Sequence, residues 1–228
     1  MKPELIVMLT HNDFTVENAS AIFEKCKGSK AIYWGFKEKP LPVEEMKSLF
    51  NYIRSCGKHT ILEVVAYSEQ EGLNGAKLAL DCGVDILMGT KYYESINLFC
   101  KKHNIKYMPF VGTIQGRPSV LKGELEDIVN EAQQYVSMGV YGIDLLGYRY
   151  VGDVFSLSKK IVDSLNVPVC IAGSIDSYKK LDEIKNISPW GFTVGSAFFD
   201  KKFGDEFADQ INNVVDYIDA PITSNATI

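Results

Sequence analysis

Several residue types and patterns are scarce in this chain, and each scarcity removes a class of function. Only three histidines and three arginines occur in 228 residues. The five cysteines (Cys26, Cys56, Cys82, Cys100 and Cys170) are scattered, with no CxxC pair. They read as reduced packing residues rather than as a disulfide framework or a zinc site. No Lys/Arg-rich run breaks a mild net charge of −5, so a large nucleic-acid footprint is not expected. No apolar run approaches the length of a membrane span. The opening MKPELIVMLT holds an apolar stretch too short for a signal peptide, so the expected location is cytoplasmic. No GxGxxG follows the first apolar run, which argues against a dinucleotide site.

What is present is a unit that recurs in kind rather than in letters. Hydrophobic residues make up 46%, enough for a substantial core. Eight short apolar runs read as strands: Leu5–Thr10, Ala31–Phe36, Thr60–Ala66, Val84–Thr90, Ile105–Gly112, Tyr141–Gly147, Pro168–Ala172 and Gly191–Val194. An amphipathic segment follows each of them. Met46, Leu49, Phe50 and Ile53 form one apolar face, and Ile128, Ala132, Tyr135 and Val136 another. Gly57, Gly83 and Gly139 stand where helices should end in a left-handed cap. Eight strand–helix units of this kind predict a single α/β domain, a (β/α)8 TIM barrel, over residues 1–218. The aperiodic residues 219–228 are expected to be an irregular tail. In such barrels the chemistry sits on loops leaving the strand C-termini.

The last quarter is the most specific. Val167-Pro168-Val169-Cys170-Ile171-Ala172-Gly173-Ser174 reads as strand seven entering a Gly-Ser turn. Phe192-Thr193-Val194-Gly195-Ser196 reads as strand eight entering another. Glycine lets the backbone approach a ligand closely, and the following helix starts present unpaired N–H groups to an anion. These turns resemble those of the ribulose-phosphate-binding barrels and their aldolase relatives, which include pentose-phosphate epimerases and keto-deoxy-phosphogluconate-type aldolases. The resemblance of motif covers about the last third of the chain. It implies phosphate contact at Gly173, Ser174, Gly195 and Ser196. It also implies departures. The aldolases carry a Schiff-base lysine on or near strand six, where this chain has Asp144. The epimerases use two histidines and two aspartates, and only His11 follows a strand here, in Thr10-His11-Asn12-Asp13. His11 is a candidate substrate-binding residue that with Asp13 could bind metal or shuttle protons, and Asp13 is nearly as readable as the N-cap of the first helix.

Strand alternation adds three ionisable residues. Ile61, Glu63, Val65 and Tyr67 share a face, as do Gly142, Asp144, Leu146 and Tyr148. In strand two the bulky Ile32, Trp34 and Phe36 should meet the helices, which turns Lys37 inward. Lys37, Glu63 and Asp144 are therefore candidate catalytic residues, with displaced pKa values suited to proton transfer or, for Lys37, imine formation. Arg149 and Arg117 lie in loops after strands six and five, where a guanidinium could grip phosphate or carboxylate. The segment Gly112–Ser119 reads as a long loop able to act as a lid. Lys91, after strand four, is a weaker candidate.

The expected function is an enzyme that acts on a small phosphorylated sugar or keto acid by removing a proton next to a carbonyl. Isomerase, epimerase and aldolase-type lyase share that step. The alternative is a non-catalytic phosphometabolite sensor of the antiterminator kind. No cofactor is expected, with a divalent metal the one left open, and no metal-ligand set is assigned. The expected partner is a small phosphorylated metabolite, with no membrane and no nucleic acid; a homo-oligomer is left open.

Overall fold

The computed structural model describes residues 2–116 and 118–221. Eight strands run parallel and close into a barrel: β1 (Glu4–Met8), β2 (Tyr33–Lys37), β3 (His59–Ala66), β4 (Ile86–Lys91), β5 (Lys106–Phe110), β6 (Ile143–Leu145), β7 (Val169–Ile171) and β8 (Gly191–Val194). Each pairs with the next, and β8 closes on β1 through Leu5↔Phe192 and Val7↔Val194. The helices that follow are α1 (Ala19–Cys26), α2 (Val43–Ser55), α3 (Glu69–Cys82), α4 (Glu94–Lys102), α5 (Leu125–Ser137), α6 (Val154–Ser164), α7 (Tyr178–Ile187), the short α8 (Ser196–Phe199) and α9 (Phe207–Asp219). The fold is the (β/α)8 barrel that the sequence pattern predicts. Residues 222–228, most of the expected tail, lie outside the described residues, as does Arg117.

Alternation sorts the strand side chains into two apolar groups. Trp34, Phe36, Leu62, Val64 and their neighbours face outward and pack against the helices. Ile6, Met8, Ile61, Ile86, Met88, Met108 and Cys170 fill the interior, and Tyr33, Tyr141 and Trp190 pack against them at the N-terminal end. Gly57, Gly83 and Gly139 all take positive φ just past helices α2, α3 and α5, as a left-handed cap requires. The lower barrel interior is thus a solid plug.

Two antiparallel hairpins interrupt the plain strand–helix plan. In the first, Thr10–His11 pairs with Phe14–Thr15 across Asn12 and Asp13, whose φ values are 51° and 68°. Positive φ at both central residues makes this a tight primed turn, which Asn and Asp tolerate. The first strand therefore ends sooner than expected, and Asp13 belongs to this turn; the cap position of α1 is Asn18. In the second, Thr113–Gln115 pairs with Val120–Lys122, so part of the segment expected to be a long loop is a β-strand. The sixth strand is also shorter than expected. It gives way to a 3-10 turn at Gly147–Arg149, and Tyr148 leaves the barrel face to donate to Glu183 and the Lys180 carbonyl.

The interior tolerates no additional bulk at Gly142. A Cβ there would run into the Pro168 carbonyl oxygen and come within 2.9 Å of the Met108 methyl. Gly142→Ala is therefore expected to lose about 1–3 kcal/mol through overpacking. Chemical denaturation measures this, and an unchanged midpoint would contradict the packing described.

Candidate active site

A cleft of about 200 Å³ opens at the C-terminal mouth of the barrel. Strand ends and loops from around the ring converge there. Lys37 and Glu63 come from adjacent strands, in register with each other, and their side chains reach the floor of the cleft. Gly173, Ser174, Gly195 and Ser196 line one wall, and Arg149 and Asp13 lie over the centre.

The charged groups form one network. The Lys37 ammonium lies 3.0 Å from Asp13 Oδ1 and 3.6 Å from Glu63 Oε1. Arg149 Nη2 lies 3.4 Å from the same Asp13 oxygen, and its Nη1 donates to the Ser119 carbonyl at 3.4 Å. The backbone explains the convergence. Thr15 on the first hairpin donates its hydroxyl to the Lys37 carbonyl at 2.7 Å and accepts the Lys37 N–H at 2.9 Å. That double bond pins the hairpin to the end of β2 and aims Asp13 over the lysine. Gly89 makes room for Glu63. Its φ is +90°, and a Cβ there would lie 2.9 Å from the Glu63 Cγ. Register shifts occur after Glu63 and after Met88 on the paired strands, the kind of bulge that re-aims side chains near a site. Beyond the shift Tyr67 leaves the barrel interior, and its hydroxyl meets Ser119 Oγ at 2.7 Å.

Burial and charge pull these groups in opposite directions. Burial lowers the Lys37 pKa, but Glu63 and Asp13 outweigh it, and the ammonium ends above its ordinary value. Burial raises Asp13, but Lys37 and Arg149 outweigh it, and its carboxyl ends below its ordinary value. Asp144 goes the other way. It is 1% exposed, and burial followed by the charge of Glu63 holds it well above the usual carboxylate range, with Lys37 offsetting only part. Its Oδ1 has no hydrogen-bond partner among the described residues. Asp144 does not line the cleft; it precedes Leu146 and Arg149, which do, and so lies deeper in the barrel. The same burial, with Asp144 and Glu63 nearby, pushes the Cys170 thiol up.

The two Gly-Ser turns stand side by side at the cleft. Gly173 has φ +107° and Ser174 φ +65°, and a Cβ on Gly173 would press on Arg149 Cγ at 2.9 Å. Gly195 caps α8 and lies against Thr10, where a Cβ would meet the threonine hydroxyl at 2.8 Å. The first N–H groups of α8 have no intrahelical acceptors. Ser196 Oγ accepts the Asn12 N–H at 3.2 Å, which ties this turn to the first hairpin. Lys202 lines the cleft as an exposed cation, and Asp176 and Asp200 line it as acids already paired with Lys180 and His11.

His11 is not in the cleft. Its Nε2 lies 3.0 Å from Asp200 Oδ1 and its ring stacks on Phe199, which places it at the rim as a brace. Lys91 faces a different cavity. Asp13 and Lys202 are the additions that strand periodicity does not reveal. The Asn-Asp pair between two short β-prone dipeptides was the available signal for the first. Among the described residues no three His, Cys, Asp or Glu side chains converge to hold a metal ion.

Neither a protein-family model nor a curated protein sequence matches this chain. Solved structures are similar to it. A thiamine phosphate pyrophosphorylase from Pyrococcus furiosus superposes with a TM-score of 0.67 at 17% identity, over 95% of each chain. A tryptophan synthase alpha chain from Legionella pneumophila gives a TM-score of 0.66 at 14% identity, over 98% of this chain and 94% of that one. An N-acetylmannosamine-6-phosphate 2-epimerase from Clostridium perfringens gives 0.64 at 13% identity, over 86% and 87%. The resemblance seen in the sequence thus holds for the fold.

Asp144 yields a test independent of turnover. Below the ordinary aspartate pKa of about 3.9 both folded and unfolded chains hold the proton. As pH rises the unfolded chain releases it first, so stability falls until the folded carboxyl titrates as well. Asp144→Asn has no such titration. Its melting temperature is expected to gain on the wild type as pH rises above the ordinary aspartate range. Parallel profiles would mean that Asp144 is not held neutral.

Proposed function

We propose that this barrel is an enzyme that binds a small phosphorylated sugar or keto acid and moves a proton next to its carbonyl. The observation that carries the proposal is the Glu63 carboxylate beside the Lys37 ammonium on the floor of a cleft walled by two Gly-Ser turns. Burial holds the Asp144 carboxyl well above the usual carboxylate range, whereas Glu63 lies beside Lys37 within the cleft. A carboxylate and an ammonium side by side in a cleft are suited to acid–base work. Glu63 is the base. Lys37 stabilises the enolate oxygen that forms when the proton leaves. Asp144, out of reach of a ligand, lies deeper in the barrel.

The Gly173-Ser174 and Gly195-Ser196 turns hold the phosphate, with Lys202 and Arg149 adding positive charge. Strands seven and eight with a short extra helix are where barrels of this kind commonly bind phosphate. The neighbours in fold include proteins named for phosphorylated compounds, which agrees with that reading. Lys37 as an imine-forming nucleophile is disfavoured. An attacking amine must be neutral, and two carboxylates hold this one as an ammonium. An isomerase or epimerase type of proton transfer is the reading that remains.

Thermal-shift measurements with phosphorylated sugars and keto acids, and with inorganic phosphate, identify ligands of the native state. Deuterium uptake from solvent into a bound compound then reads proton abstraction. Glu63→Gln is expected to keep the ligand-induced shift and lose roughly 10²-fold or more of the exchange. Ser196→Asp is expected to abolish the shift by repelling the anion. Wild-type exchange in Glu63→Gln would overturn the role of Glu63, and ligand binding with no exchange in the wild type would indicate a sensor. Borohydride treatment with a keto substrate is expected to leave Lys37 unmodified; a trapped adduct would restore the imine route.

A further inference from the structure

The first hairpin is held from outside rather than by its own pairing. Two residue pairs, Thr10↔Thr15 and His11↔Phe14, join its strands, and the Asn12-Asp13 turn between them takes positive φ at both positions. So short a hairpin is marginal on its own. Non-glycine residues in the left-handed region persist where the surroundings support them. Phe14 is 52% exposed, so burial does not anchor the turn on that side. Two neighbours do. On one side Thr15 bonds twice to the Lys37 backbone. On the other, three consecutive hairpin residues meet the α8 segment. Thr10 lies against Gly195, and the Asn12 N–H donates to Ser196 Oγ at 3.2 Å. Between them His11 reaches the far end of the helix. Its Nε2 lies 3.0 Å from Asp200 Oδ1, and its ring stacks on Phe199 with centroids 5.2 Å apart.

Asp13, two residues beyond His11, is the nearer of the two carboxylates that meet the Lys37 ammonium, at 3.0 Å against 3.6 Å for Glu63. We propose that His11 is a positioning residue: its contacts with Asp200 and Phe199 fix the hairpin so that the Asp13 carboxylate stays on Lys37. His11 does not line the cleft and acts only through this turn. The role bears on the proposed proton transfer, which needs Lys37 charged, and rests on that reading only for its effect on turnover. The His11–Asp200 pair is exposed, so it adds little to overall stability and its loss is felt locally. Without it the turn can draw Asp13 away. Lys37 then keeps Glu63 as its anion and Arg149 as a nearby like charge, and its ammonium loses a proton more readily.

Competitive acylation across a range of pH, read by mass spectrometry, gives the titration midpoint of Lys37 without any substrate. The exposed Lys77 and Lys122 serve as internal standards. The midpoint is expected to fall in His11→Ala, so that at a fixed pH below it the neutral amine becomes about threefold to tenfold more abundant. Asp13→Asn marks the full loss. His11→Gln is expected to restore the wild-type midpoint, because its amide nitrogen can donate to Asp200. With a saturating ligand, His11→Ala is expected to slow deuterium uptake about tenfold and to leave half-saturation within about twofold, since the Ser196 tie remains. A Lys37 midpoint that stays at the wild-type value in His11→Ala, that falls together with those of the standards, or that Gln does not restore overturns the proposal. So does wild-type uptake in His11→Ala. No uptake in the wild type, with the Lys37 midpoint lowered by His11→Ala and restored by Gln, would sink the proton-transfer reading and keep His11 as the residue that positions Asp13.

Discussion

The structure depends on holding two cations and two carboxylates together at the end of an otherwise apolar barrel. Lys37, Asp13, Glu63 and Arg149 are each partly withdrawn from water, and each has an opposite charge within reach. The cost of desolvation is offset only while all four stay within reach of one another. That requirement explains the local backbone: the hairpin tied to β2 by Thr15, the glycine beside the Glu63 stem, and the turn that carries Arg149 back over the mouth. Asp144 shows the other outcome of the same physics. Deeper, and near the Glu63 charge without contact to a cation, its carboxyl is held well above the usual carboxylate range.

The barrel and the charged floor were legible in the amino-acid sequence for the same reason. Both follow from side-chain alternation along single strands, which is local information. Trp34 and Phe36 claim the helix-facing side of β2, so Lys37 must point inward; the same parity places Glu63 and Asp144. The two Gly-Ser turns were legible because the backbone geometry a close approach requires restricts the residue type.

What was not legible is depth and distance. Alternation tells in from out but not floor from plug, so Asp144 looked equivalent to Glu63 although only Glu63 reaches the cleft. His11 follows a strand, as a site residue should, yet Asp200 and Phe199 hold it at the rim. Asp13 reaches the site through a two-residue turn, where pattern reading ended the first strand at Thr10 and offered Asp13 also as a helix cap. The second hairpin exists because residues on either side of a glycine-containing segment pair with each other, a contact that periodicity does not encode.

Arg149 links the first hairpin, the second hairpin and the turn after β6, since it touches Asp13 and the Ser119 carbonyl at once. A guanidinium cannot serve two anions at full strength. An incoming anion that draws Arg149 toward itself weakens one of the two cations that keep the Asp13 carboxyl acidic. That carboxyl then becomes easier to protonate, so the occupancy of the mouth and the number of hydrogen ions the protein carries are thermodynamically linked.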